Sequence, residues 1–98
     1  MNEIEKTKIR NHIESENAKT MDWVKEDPDN RYAFTLDAES MIHMLDKYTD
    51  VTTFEEYKQY IAWEDYSERY KEKNGFKPRW TNWSENSDEV WNTMAQNL

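Results

Sequence analysis

The chain has 98 residues, a net charge of -8 and no cysteine. The length suits a single small domain near the size where oligomerisation often supplies missing burial, and a homodimer is expected. Without cysteine there are no disulfides, thiolate metal sites or thiol nucleophiles, and the acidic balance disfavours direct binding of DNA or RNA.

Only 14 residues are Leu, Ile, Val or Phe, against six Tyr, five Trp and five Met. Aromatic side chains bury a large area each, so the expected fold has a core of Trp, Tyr and Met in place of an aliphatic one. The first residues, Met1-Asn2-Glu3-Ile4-Glu5-Lys6, lack the apolar stretch of a signal peptide. No run of about 18 apolar residues is present to span a bilayer. A soluble, cytoplasmic protein with no membrane contact is expected.

Residues 2 to 26 are rich in helix formers, with Ile9, Ile13, Met21 and Val24 on one stripe that Asn17 interrupts. This weak amphipathic helix reads as peripheral or interface-forming. Asp27-Pro28-Asp29-Asn30 breaks it, and Arg31-Tyr32-Ala33-Phe34 follows as an extended link. From about Asp37 to Tyr48, the residues Met41, Ile42, Met44, Leu45 and Tyr48 predict a second helix with a nearly continuous apolar face, the most buried element of the chain.

Thr52 and Thr53 each stand three residues before a glutamate, a capping-box arrangement that opens a long helix running to Asn74. Phe54, Tyr57 and Ile61 share one side of it, and Trp63, Tyr66 and Tyr70 the other. The swap predicts a helix packed on both sides or kinked near Ala62. Gly75 and Pro78 end it, and Ser84 or Ser87 caps a last helix carrying Val90, Trp91, Met94 and Leu98. The fold class expected is all-α: one domain over 1–98, a bundle of three to four helices with one long central helix.

Glu64, Asp65, Glu68 and Glu72 lie on one side of the long helix, with carboxylates about 6 Å apart on successive turns. Such a row imitates the phosphates of a nucleic-acid strand and suits a basic cleft. The plainer alternative is a solvated face partly paired with Arg69 and Lys71. Trp63, Tyr66 and Tyr70 border the row and read either as interface anchors or as core. A separate basic-aromatic group, Lys77, Arg79 and Trp80, suits stacking on and neutralising a small nucleotide at a subunit junction. Glu39, His43 and Asp46 have helical metal-site spacing but no second matching pair, so no metal and no cofactor are expected. With one glycine there is no phosphate loop, and no motif singles out a catalytic carboxylate pair.

The segment Tyr70-Lys71 followed by Asn74-Gly75-Phe76-Lys77-Pro78-Arg79-Trp80, with Ser87-Asp88-Glu89 opening the last helix, resembles the C-terminal part of small proteins encoded in tailed-bacteriophage genomes. The resemblance implies a phage accessory protein acting in an infected bacterial cytoplasm. The function expected on this basis is non-enzymatic: binding and inhibition of a host nucleic-acid-handling or antiviral-defence protein, with the acidic row as a DNA-mimic surface. The alternative is an oligomeric sponge that sequesters a small nucleotide signal.

Overall fold

A computed structural model describes residues 1–98 and is all-helical. Four α-helices account for most of the chain: α1 (Glu3–Glu26), α2 (Ala38–Tyr48), α3 (Phe54–Asn74) and α4 (Asp88–Gln96), with a 3-10 turn at Trp83–Glu85. No helix is long and apolar enough to cross a membrane. The chain gathers into two compact units, Met1–Phe54 and Glu55–Leu98.

Local chemistry sets the helix ends. The Asn2 side chain accepts from the Glu5 N–H at 2.9 Å and opens α1. Asp37 accepts from the Ser40 N–H at 3.2 Å and opens α2, and Ser87 accepts from Val90 at 3.3 Å and opens α4. Ser87, not Ser84, is thus the cap of the last helix; Ser84 lies inside the 3-10 turn. At the end of α3 the Gly75 N–H donates to Lys71 C=O at 2.7 Å. Gly75 sits at φ 86°, the left-handed conformation in which glycine alone escapes a Cβ penalty.

In the first unit α2 runs back along α1. Arg10 pairs with Glu39, and Lys6 lies 3.4 Å from Asp46 near the opposite end of α2. Ile9, Ile13, Ala38, Ile42, Leu45 and Val51 form the buried apolar set. Five residues expected on the apolar stripes fall outside it: Val24, Met41 and Met44 are half-buried, while Met21 and Tyr48 are exposed, the latter with its ring under the Lys47 ammonium at 5.4 Å. The Glu5 carboxylate accepts from the Phe54 N–H at 2.9 Å, tying the end of this unit to its beginning.

In the second unit α3 continues as one helix through Ala62. Ala62, Tyr66, Trp91 and Ala95 form the core, with Trp63, Tyr70, Met94 and Leu98 packed against it. The Tyr66 and Trp91 rings stand 5.3 Å apart, and the fully buried Trp91 donates its indole N–H to Trp83 C=O at 2.9 Å. That bond satisfies the one polar atom of a large buried ring. The expectation of an aromatic core therefore holds most clearly here.

Candidate functional site

A cleft of about 460 Å³ lies within the second unit, between the middle of α3 and the corner that follows Gly75. This volume falls in the range of ordinary small-molecule sites, roughly 300 to 1,000 Å³. Trp63, Glu64 and Ser67 come from α3; Lys77, Arg79 and Thr81 come from the corner, with Pro78 between them.

The corner is held by a short chain of hydrogen bonds. Trp63 donates its indole N–H to Thr81 Oγ1 at 2.9 Å, and that hydroxyl donates to Pro78 C=O at 2.7 Å. The Thr81 N–H also reaches Pro78 C=O at 3.0 Å, and Pro78 is itself buried. Lys77 is drawn to Glu68 at 2.8 Å. This contact raises the Lys77 pKa and lowers that of Glu68, each through the hydrogen bond first and then through charge. Arg79 is exposed and has no carboxylate partner. The cleft thus carries one spent cation, one available guanidinium and the Glu64 carboxylate.

Ser67 is the exceptional member. It is only 4% exposed, and its hydroxyl is the one buried side-chain polar atom among the described residues with no hydrogen-bond partner. A buried polar group in that condition costs about 1 to 3 kcal/mol. The oxygen itself has less than 1 Å² of accessible surface, so it is sealed from the open part of the cleft.

The residues singled out by spacing are thereby divided. Lys77 and Arg79 meet at the cleft, but Trp80 belongs elsewhere: it is exposed and stacks edge-on to Tyr70 at 5.6 Å and against Phe76 at 6.2 Å. Tyr66, Tyr70 and Trp63 pack in the core of the second unit, with the edge of Trp63 also facing the cleft. Of the acidic row, Asp65 pairs with Arg69 at 3.1 Å and Glu68 with Lys77. Glu64 lines the cleft; the burial of Tyr60 first, then the charge of Glu64 and a hydrogen bond to it, raise the pKa of Tyr60. Glu72 stays exposed at the end of the row.

Glu39 and Asp46 are held by cations, Arg10 on one side and Lys6 with the Met1 amino group on the other. No group of three or more His, Asp or Glu side chains among the described residues is placed to hold a metal. Ser67 and Thr81 were not singled out by spacing. The available signal was Ser67 itself, a small polar residue one turn after Trp63 on the stripe that also carries Tyr66 and Tyr70.

The fold and the cleft define a small helical protein with a mixed-charge, partly aromatic pocket built on one long helix and the corner after it. Comparison of the chain with protein-family models, with curated proteins and with solved structures finds no match.

Proposed function

We propose that the protein acts by binding and that its second unit captures a small anionic ligand bearing a flat ring with N–H donors, a nucleotide by chemical class. The observation that carries this reading is the exposed Arg79 guanidinium, without a carboxylate partner, on a cleft that Trp63 and Glu64 also line. A phosphate suits the guanidinium of Arg79, which grips it through two N–H groups. Ring N–H donors suit the Glu64 carboxylate, and the Trp63 edge offers an apolar wall. Retention rather than turnover is part of the proposal: the Ser67 hydroxyl beside the cleft has no base hydrogen-bonded to it that would activate it as a nucleophile. By the resemblance of its Tyr70–Trp80 segment, the setting is the cytoplasm of a phage-infected bacterium.

Thermal denaturation in the presence of nucleoside monophosphates tests the reading. Ligand at a hundredfold excess over Kd stabilises by about 2.7 kcal/mol. A raised Tm that Arg79→Ala abolishes is expected; no shift with any purine or pyrimidine nucleotide at millimolar concentration overturns the proposal.

The other reading is inhibition of a host nucleic-acid-handling or defence protein through the acidic row. It draws on the overall charge of -8 and on the exposed Glu72. It loses ground on α3 because Asp65 and Glu68 are already paired, which leaves a broken stripe where a phosphate mimic needs a continuous one.

A further inference from the structure

The segment between α1 and α2 presents the most exposed aromatic side chains of the chain. Tyr32 is 81% and Phe34 91% exposed, and Leu36 is also solvent-facing. The Tyr32 and Phe34 rings contact each other edge-on at 6.1 Å. Residues two apart meet in this way when the backbone between them is extended and turns both to one side.

The segment is fastened at both ends to the second half of α1. Arg31 donates to Trp23 C=O and to Glu26, both at 3.0 Å, and its guanidinium lies 4.9 Å from the centre of the Trp23 ring. At the other end Asn17 holds Leu36 by both backbone groups. Between these anchors no backbone hydrogen bond engages Tyr32 to Thr35. A row of apolar side chains and free backbone groups is thus held in place at the surface, an arrangement that costs solvation unless something covers it.

The charges around the row decide what that is. Asp22, Asp27, Asp29 and Asp37 flank it without ion pairs, against Lys25 as the single unpaired cation, since Arg31 is spent on Glu26. A second copy docking here would set these carboxylates against themselves. A basic chain would meet carboxylates at the rim and aromatic faces at the centre, and Arg31 over Trp23 already displays the contact its cations would make.

We propose that residues 22–37 form a docking surface for an extended basic segment of a partner protein, one in which arginine or lysine alternates with apolar residues. The apolar side chains cover Tyr32, Phe34 and Leu36; the cations reach Asp22, Asp29 and Asp37; the strand pairs with the open backbone of Tyr32 to Thr35. This surface lies in the first unit and is independent of the nucleotide cleft.

The test uses the full chain, ¹⁵N-labelled, titrated with a synthetic ten-residue peptide of alternating arginine and leucine. Expected are amide shifts concentrated at residues 22–37, with the Trp23 indole moving and affinity falling as salt rises. Calorimetry with the Tyr32→Ser, Phe34→Ser double variant is expected to show at least a roughly tenfold loss. Shifts centred on α3 or the cleft, undiminished binding by the double variant, or absence of peptide binding would each overturn the proposal. So would sedimentation showing a dimer of the protein that the double variant dissolves. The amide map on the unaltered chain reads the location directly, whatever the variants do to stability.

Discussion

The side-chain amide of Asn17 grips both backbone groups of Leu36: its N–H donates to the carbonyl at 2.7 Å and its oxygen accepts from the N–H at 3.1 Å. One residue in the middle of α1 thereby stands in for a neighbouring strand. Two hydrogen bonds of this kind contribute about 1 to 2 kcal/mol together. Asn17→Ala is expected to destabilise the protein by that amount and to accelerate hydrogen exchange at the Leu36 amide far more than at Ile42, which lies within α2. Unchanged exchange at Leu36 would mean that the grip is dispensable.

Ser67→Ala separates folding from binding. Because the hydroxyl has no partner to lose, removing it is expected to leave stability unchanged or to raise it by about 1 kcal/mol. In the same variant nucleotide binding, which rests on Arg79 and Glu64 in the cleft, should be retained. A clear loss of stability in chemical denaturation would show that the hydroxyl is satisfied within the protein.

Trp91→Phe deletes the indole N–H that satisfies Trp83 C=O and leaves a smaller ring in a fully buried place. A cost of about 2 to 4 kcal/mol is expected from the orphaned carbonyl and lost packing together, measured as a lower denaturation midpoint. Trp80→Phe, at an exposed ring, should cost far less.

Gly75 isolates a backbone effect. A Cβ there would meet nothing within 4 Å, yet φ lies at 86°. Gly75→Ala is therefore expected to destabilise by about 1 to 2 kcal/mol through conformation alone, and Gly75→Asn by less, because asparagine tolerates the left-handed region.

Acid should loosen the protein below about pH 4.5. The Phe54 N–H and then Lys8 hold Glu5 below its ordinary value; Arg10 does so for Glu39, the Met1 amino group and Lys6 for Asp46, and Lys77 for Glu68. A depressed folded-state pKa means that the unfolded chain takes up protons first as pH falls. The stability these groups give is complete above the ordinary carboxylate range and is lost on descending through it. Tm should thus decline between about pH 5 and pH 3, and Glu5→Gln, which still accepts from Phe54, should flatten part of that decline.

Helix ends were legible because they depend on neighbours in sequence: Asp37, Ser87 and Gly75 act within three or four residues of themselves. Partners far along the chain were not. Asn17 reads as a flaw in an apolar stripe until Leu36, nineteen residues on, is brought against it. Lys77 and Arg79 were legible as a basic pair, but Trp80 was grouped with them because composition takes no account of direction. The turn through Pro78, closed by Arg79 N–H to Lys77 C=O at 2.9 Å, leaves Trp80 with Tyr70 and Phe76 instead. The acidic row was legible as a spacing on α3, yet the pairing of Glu68 with Lys77 required the corner to fold back on the helix.

The tryptophans are unevenly shared: Trp23 is the single one before residue 55, and Trp63, Trp80, Trp83 and Trp91 follow it. A Trp23→Phe chain and its parent accordingly differ by one chromophore seated in the first unit beneath a guanidinium. The difference between their emission spectra follows that unit through a denaturation, while the emission that remains follows the other. The protein carries its own two-channel optical record of whether its halves melt together or in turn.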